Sequence, residues 1–168
     1  MLITERGMMK KRIINSNLPQ RFLKARDCLM SHFRPILQHF GVTEQQWRIL
    51  RILDEREQLE PREICDLCQI LSPSMAGVLA RMEQMELIVR ARFEQDQRRV
   101  LVKLAPKGEQ LISVMAPLID AQYQHLERAF GKSVLEEVST VLERFIALHS
   151  TPVQQVALPG VSEVDDER

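Results

Sequence analysis

Aromatic residues and long apolar runs are scarce in this chain, and their scarcity excludes several classes of protein. Aromatic residues make up 5% of the 168 residues, and no long stretch is rich in Val, Ile and Thr, which argues against a large β-sheet protein. No apolar run approaches the ~20 residues that a helix needs to cross a bilayer. Residues 1–11 lack the apolar segment of a secretory signal. The sequence therefore predicts a cytoplasmic protein without a membrane partner.

Cysteine is also rare, and the common catalytic motifs are absent. Three cysteines, an odd number, do not make a disulfide framework. Cys65 and Cys68 have the spacing of half a zinc site, but no second Cys/His pair follows at the spacing of a zinc finger. The chain has no phosphate-binding glycine loop, nucleophile elbow or HExxH motif. We therefore predict no metal, no other cofactor and no enzymatic activity.

The remaining composition is that of an ordinary folded domain, with 45% apolar and 27% charged residues. Lys+Arg and Asp+Glu both number 23, but they are distributed unevenly. Residues 1–56 carry 11 basic and 5 acidic groups, whereas residues 120–168 carry 4 basic and 9 acidic groups. Residues 88–107 carry six basic and two acidic groups. This local excess fits either an anion-binding surface or a solvated face.

The spacing of apolar residues predicts a mainly α-helical chain with one hairpin. Apolar residues recur at helical intervals over most of 19–149 and alternate with polar residues over 89–104. The predicted elements, in chain order, are a helix over 19–40 kinked at Pro35, a helix capped by Thr43 with Gln46 as its capping-box partner, a short helix opened by Glu60 and Pro61, a helix capped by Ser72, a two-stranded hairpin, a helix from Pro106 to about Gly131, and a helix capped by Ser133.

Two short helices followed by a hairpin is the order of a winged helix-turn-helix. We predict a basic N-terminal arm over 1–18, a winged helix-turn-helix DNA-binding region with a two-stranded β wing over 43–105, an α-helical dimerisation region made of 19–42 and 106–149, and a flexible acidic tail over 150–168. A single winged unit cannot bury apolar helices at both ends of the chain. A homodimer would bury them and would place two reading helices in successive major grooves of a pseudo-palindromic operator.

The second helix of such a unit enters the major groove and reads the bases. In this chain the predicted reading helix is the one capped by Ser72. Ser72, Ser74 and the helix N-terminus can donate to phosphate, Arg81 can reach a phosphate or a base, and Gly77 permits close approach. Arg98 or Arg99 at the hairpin tip can enter a narrow minor groove. The DNA-binding candidates are Ser72, Pro73, Ser74, Met75, Gly77, Val78, Arg81, Arg92, Asp96, Gln97, Arg98 and Arg99.

Over residues 19–148 the chain resembles the MarR-type transcriptional regulators. The most specific segment is 96–108, which is similar to the D-x-R-x-x-x-V-x-L-T-x-x-G pattern of that family. The resemblance implies that Arg98 enters the minor groove and that Asp96 orients it. Ala105 departs from the pattern, which has a helix-capping Thr there, and the loss weakens the cap by ~1 kcal/mol.

Residues 26–27, 30–37, 43–50 and 68–74 resemble a narrower group, the regulators of homoprotocatechuate (hydroxyphenylacetate) degradation operons. This resemblance implies a homodimeric repressor that a phenolic acid releases from DNA. Such an effector needs an apolar slot, a cation for its carboxylate and a hydrogen-bond partner for its phenol. The resemblance implies that the ligand site lies where the first, second and fifth predicted helices meet, a region that includes Tyr123. The ligand-binding candidates there are Arg26 and Arg48 for the carboxylate, His32 and His39 for the phenol, and Phe33 and Trp47 as walls.

Two other functions remain open at this stage. Cys28 could serve as an oxidation sensor, which would make the chain a MarR-type redox regulator. A helical interaction module that does not bind DNA is the second alternative. Each ligand candidate also has an ordinary structural interpretation, because Phe33 and Trp47 sit at core spacings and an Arg on a helix is commonly solvated.

Overall fold

The computed structural model describes residues 17–93 and 96–158. The predicted mainly α-helical fold is confirmed. Its elements, in chain order, are α1 (Leu18–Ser31), α2 (Arg34–His39), α3 (Glu44–Arg56), β1 (Gln58–Leu59), α4 (Pro61–Cys68), α5 (Ser72–Gln84), β2 (Ile88–Phe93), β3 (Asp96–Leu104), α6 (Pro106–Phe130) and α7 (Lys132–Ala147).

The first predicted helix is in fact two helices. The prediction of one kinked helix over 19–40 is wrong, because α1 ends at Ser31 and α2 begins at Arg34. Pro35 lies in the first turn of α2, where its missing N–H costs nothing. The backbone N–H groups of His32 and Phe33 donate three residues back, to Leu29 and Met30. The chain therefore closes α1 with a tighter turn before the proline ring can clash with it.

Helix α3 begins as predicted, and α5 begins one residue earlier than predicted. The Thr43 hydroxyl accepts from the Gln46 N–H at 3.2 Å, and the Gln46 side chain accepts from the Thr43 N–H at 2.9 Å. In α5 the N-cap is Leu71, so Ser72 occupies the first helical position. Ser72 is therefore not the cap, because the Leu71 carbonyl already accepts from the N–H groups of Ser74 and Met75.

The predicted two-stranded hairpin is present as β2 and β3, and β1 adds a third strand to give an antiparallel sheet in the order β1-β3-β2. Gln58 of β1 pairs with Lys103, and Ile88 of β2 pairs with Leu104. Strand β1 has two residues, and so short a strand leaves no alternating pattern in the sequence. Only its pairing with β3 reveals it.

The described chain divides into two compact units at Tyr123 and Gln124. In the first unit, apolar residues of α3, α4, α5 and the sheet are fully or almost fully buried, among them Ile49, Leu50, Leu53, Ile64, Leu79, Met82, Ile88 and Val102. Gly108, the last residue of the wing pattern, is held at this core's edge. A Cβ at Gly108 would lie 2.1 Å from the Leu87 carbonyl oxygen, so only glycine fits there.

In the second unit, α7 buries none of its residues. Its N-cap is Gly131 at φ 91°, so the prediction that Ser133 caps it is wrong. The apolar residues Val134, Val138, Val141, Phe145 and Ile146 are exposed. Residues 152–158 form neither helix nor strand. Residues 1–16 of the predicted arm over 1–18, and residues 159–168 of the predicted tail over 150–168, lie outside the described residues.

None of the helices in residues 17–93 and 96–158 is long and apolar enough to cross a membrane.

Candidate nucleic-acid interface and effector cavity

Helix α5 has a core face and an outward face. Met75, Leu79 and Met82 are at most 2% exposed and anchor the helix in the first unit. Met75 was predicted to contact DNA, and the structure corrects this: its side chain is in the core, where it positions α5. Val78 is half-buried at the edge between the two faces.

The outward face of α5 is small and nearly uncharged. Ser72, Pro73, Ser74, Gly77 and Arg81 are all exposed. No atom lies within 4 Å of a Cβ built on Gly77, so packing inside the chain does not require this glycine. Ser72 to Ala80 include no charged residue. Such a surface can approach the floor of a DNA groove closely, with Arg81 at one end and the helix N-terminus at the other.

The wing places the remaining DNA-binding candidates by its backbone. Arg92 lies near the end of β2, and Asp96, Gln97, Arg98 and Arg99 begin β3. The strands pair Phe93 with Asp96, with an irregularity between Arg92 and Phe93. The side chains of these five candidates lie outside the described part of the chain, so their contacts with DNA stay predictions.

Part of the positive charge over 88–107 is already paired. The Arg90 guanidinium lies 2.8 Å from the Glu83 carboxylate of α5, and the Lys107 ammonium lies 3.5 Å from the Glu86 carboxylate. The first pair joins the base of the wing to the C-terminal turn of the reading helix. Two of the six basic residues over 88–107 therefore have a carboxylate partner within the first unit.

Arg48, a predicted partner for a ligand carboxylate, contacts backbone in the structure and is not among the residues that line the cavity between α3 and α6. Its Nη1 donates to the carbonyl oxygen of Cys68 at the end of α4. Its Nε is buried and has no protein acceptor among the described residues. Arg48 thus binds backbone inside the helix-turn-helix unit, and a carboxylate ligand would have to displace that bond.

Arg26 is engaged in an ion-pair network rather than standing free. Its Nη2 lies 2.6 Å from the Glu44 carboxylate, whose second oxygen accepts from Arg34 at 2.8 Å. Arg34 also contacts Asp27 at 2.5 Å. The pKa of the Glu44 carboxyl is lowered, first by the hydrogen bond from Arg34 and next by that from Arg26.

The two predicted histidines lie on the surface. His32 follows α1 and His39 ends α2, and both are exposed. The His39 ring meets Phe40 edge-on at 4.9 Å. Neither histidine is among the residues that line the cavity between α3 and α6.

A cavity of about 190 Å³ lies between α3 and α6. Its described lining residues are Trp47, Arg51, Asp54, Glu55, Ile112, Ala116, Ile119, Asp120 and Tyr123. Phe33 packs behind it, with its ring centroid 4.7 Å from that of Tyr123. Of the six ligand-binding candidates, only Trp47 lines this cavity.

The cation of this cavity, Arg51, was missed by sequence reasoning. Arg51 lies four residues after Trp47, so the two side chains share one face of α3. That spacing was available in the sequence, but nothing in it showed that this face meets α6. Arg51 is half-exposed, and its guanidinium lies 3.7 Å from the Glu55 carboxylate. It is the only basic residue among the described lining residues, beside three carboxylates.

The cysteines differ in environment. Cys28 is exposed, Cys65 is partly buried and Cys68 is buried. Burial raises the pKa of the Cys68 thiol, which disfavours the reactive thiolate there. Within residues 17–93 and 96–158, no group of three or more His, Cys, Asp or Glu side chains is placed to hold a metal ion.

Comparison with known proteins gives a consistent result. Residues 42–100 match the sequence profile of the MarR family. The chain is 35% identical over 150 residues to the homoprotocatechuate degradative operon repressor of Escherichia coli, an alignment that covers 89% of this chain and all of that repressor.

Two solved structures are also similar. The transcriptional regulator PA4135 is 37% identical, with a TM-score of 0.77 over 80% of this chain and 98% of its own. NadR in complex with 4-hydroxyphenylacetate is 34% identical, with a TM-score of 0.70 over 82% of this chain and 97% of its own.

Proposed function

The chain belongs to the MarR family of transcriptional regulators, and we propose that it represses an operon for the breakdown of hydroxylated phenylacetates until a phenolic acid releases it. It is a winged-helix, DNA-binding regulator and not an enzyme. We further propose that it acts in the cytoplasm, where it meets DNA, as a homodimer on a pseudo-palindromic operator. The proposed organisation is a reading region over 43–105 flanked by dimerisation helices in 19–42 and 106–149.

One observation carries the effector half of this proposal: Arg51 stands beside Trp47 and Tyr123 in one cavity. A guanidinium binds a carboxylate through charge-assisted hydrogen bonds, and the two aromatic rings supply apolar walls. The neighbouring carboxylates can accept a hydrogen bond from a phenol. Arg51 and the two rings therefore fit a small acid with a hydroxylated ring, whose carboxylate would replace Glu55 as the partner of Arg51.

The size of the cavity supports the same class of ligand. An apolar cavity of about 150 Å³ holds benzene. A cavity of about 190 Å³ therefore has room for one ring with a short acid side chain. The homologous NadR was solved with 4-hydroxyphenylacetate, a ligand of this description.

Release from DNA requires that the ligand prefer one state of the protein. A phenolic acid that bound the DNA-competent and DNA-incompetent dimers equally would shift nothing. We propose that the ligand prefers a dimer whose two α5 helices do not match successive major grooves.

A titration with 4-hydroxyphenylacetate tests the effector assignment. Operator binding should weaken as the acid is added, and Arg51→Met should lower the affinity for the acid by ~1.5–3 kcal/mol, the range for a hydrogen bond to a charged group. Arg56→Met, an exposed arginine on the same helix, is the matched control and should bind the acid normally. Arg26→Ala tests the candidate that was chosen from the sequence. Because Arg26 is paired with Glu44 and does not line the cavity, this variant should bind the acid with normal affinity.

Unchanged affinity in Arg51→Met would remove Arg51 from the site. If no hydroxylated aromatic acid binds the wild type, the effector assignment fails while the DNA-binding function stands.

Two measurements test the proposal that the chain binds operator DNA through its wing and reading helix. Arg98→Ala should weaken operator binding by ~1–3 kcal/mol while the dimer stays folded. Operator affinity should also fall with salt at a log–log slope of roughly −5 or steeper, because two wings and two reading helices contact many phosphates. Normal operator affinity in Arg98→Ala at matched salt would show that the wing arginine is wrongly assigned.

A further inference from the structure

We propose that Arg48 is the positioning residue through which a ligand in the α3–α6 cavity changes DNA affinity, by holding the turn that precedes α5. The inference rests on the proposed function, since it assigns a route to a response that the function requires. It gives Arg48 a role different from ligand binding, which its hydrogen bond to backbone disfavours.

The contact joins α3 to the end of α4. Arg48 Nη1 donates to the carbonyl oxygen of Cys68, the last residue of α4. The final carbonyls of a helix have no intrahelical partner and carry partial negative charge, so a guanidinium is a favourable partner there. Cys68 itself is 4% exposed, and the contact with the half-buried Arg48 is partly buried.

The held carbonyl lies at the start of the turn into the reading helix. Gln69 follows with a left-handed backbone at φ 51°, and the N–H of Ile70 donates back to Cys65 at 3.1 Å. Leu71 is already the N-cap of α5. Three residues therefore separate the bonded carbonyl from the first turn of α5. Because this segment is so short, a displacement of Cys68 should be passed on to the start of α5.

The proposed coupling begins at the cavity between α3 and α6 and reaches the turn before α5 through Arg48. Trp47 and Arg51, which line it, precede and follow Arg48 on the same helix. Ile49 and Leu50 are fully buried, so α3 is tightly packed, and a ligand that displaces this helix through Trp47 or Arg51 would displace Arg48 with it. Close-packed elements shift between discrete arrangements rather than deforming gradually.

The Nε of Arg48 supplies an independent observation. It is buried and donates to no protein atom in the described chain. A buried donor without an acceptor raises the free energy of the arrangement that contains it. An arrangement in which this donor gains an acceptor would be lower in free energy at this site, and we propose that ligand binding shifts the chain between the two arrangements.

The test compares three variants: Arg48→Met, which removes the charge and every donor; Arg48→Lys, which keeps a charged donor group without the planar fork; and Arg56→Met as the exposed control on α3. The DNA is a duplex that the wild-type protein selects from a random-sequence library, and the ligand is 4-hydroxyphenylacetate. The measured quantity is the release ratio, defined as the operator Kd at saturating acid divided by the operator Kd without it. Thermal unfolding establishes that each variant is folded.

The wild type and Arg56→Met should show a release ratio of about 10 or more, a usual size for coupling between sites. Arg48→Met should bind the acid within about twofold of wild type yet show a release ratio below about 2. Arg48→Lys should lie between them, because an ammonium can reach the carbonyl but lacks the planar fork of donors.

A merely structural Arg48 would change operator affinity equally with and without the acid, so a wild-type release ratio in Arg48→Met overturns the proposal and leaves the effector function standing. If Arg48→Met does not fold or does not bind the operator, Arg48→Lys decides, and a ratio equal to wild type again overturns it. A wild-type ratio of one would instead refute the effector function, and the role of Arg48 with it.

Discussion

Helices α5 and α7 have similar spacing of apolar residues, but only α5 buries its apolar face within the chain. In α5 the residues Met75, Leu79 and Met82 are buried within the chain. In α7 no residue is buried, and Val138 and Phe145 are 50% and 53% exposed. The comparison teaches that periodicity identifies an apolar face but does not identify what covers it.

The difference has a functional consequence. Large exposed apolar patches on a folded chain mark contacts with other molecules. Helix α5 completes its core within one chain and leaves a small, nearly uncharged face for DNA, whereas the apolar face of α7 needs a second surface. We propose that this surface is the same face of a second copy, as an isologous dimer interface requires.

Charging the α7 face should produce the largest effect. The double variant Val138→Asp with Phe145→Asp should be monomeric in analytical ultracentrifugation, since two carboxylates would be buried at the interface. Its operator affinity should fall by about 10²–10⁴-fold, because linked binding of two half-sites is lost. Ser133→Asp, on the same helix, adds a charge without removing an apolar residue and should stay dimeric. A dimeric double variant would show that α7 is not at the interface.

Truncating the core face of α5 should come next in size. Leu79→Ala should lower the free energy of unfolding by about 2–5 kcal/mol, because Leu79 is 2% exposed and its removal leaves a cavity. Urea denaturation at one protein concentration measures this, since dimer stability depends on concentration. The exposed Ala76→Ser should change it by no more than about 0.5 kcal/mol. Equal effects in the two variants would contradict the two-faced description of α5.

Removing a charge from the outward face of α5 should affect DNA and not stability. Arg81→Ala should weaken operator binding by about 1–3 kcal/mol, because an exposed arginine on the reading helix can contact a phosphate or a base. Unfolding should stay within about 0.5 kcal/mol of wild type. The control is Arg21→Ala on α1, and an equal loss of operator affinity there would indicate a nonspecific charge effect.

The smallest effect should come from neither apolar face but from the ion pairs of Glu44. Because Arg34 and Arg26 lower the pKa of Glu44 below its ordinary value of 4.5, its contribution to stability is full above that value and is lost as the pH falls through the lowered pKa. Below pH 4.5 the wild type should therefore lose stability more steeply than Glu44→Gln. The effect should be modest, because Arg26 and Arg34 are largely solvated.

Urea denaturation between pH 7 and pH 3 measures the difference, with Glu137→Gln as an exposed-carboxyl control. Parallel pH profiles for wild type and Glu44→Gln would show that the network does not stabilise the fold.

The sequence was a good guide to the fold and a poorer one to the cavity. Thr43 with Gln46, and Pro106 at the start of α6, were recognised because caps act on backbone groups a few residues away. Arg51 was missed, and Arg48 was assigned to the ligand, because a helical pattern does not say which neighbour each side chain meets. His32 and His39 were chosen because they lie in the region that the family uses and can bond a phenol, and the structure leaves both exposed.

The sequence by itself determined the helices from α3 onward and the alternating strands of the wing, because these depend on spacing and on groups close along the chain. Only the tertiary structure decided that Trp47 and Arg51 meet Tyr123 in a cavity, that Arg48 holds the end of α4, and that β1 extends the wing. Such contacts join segments far apart in the chain. Their formation depends on how close-packed surfaces fit together, and no local pattern of residues encodes that fit.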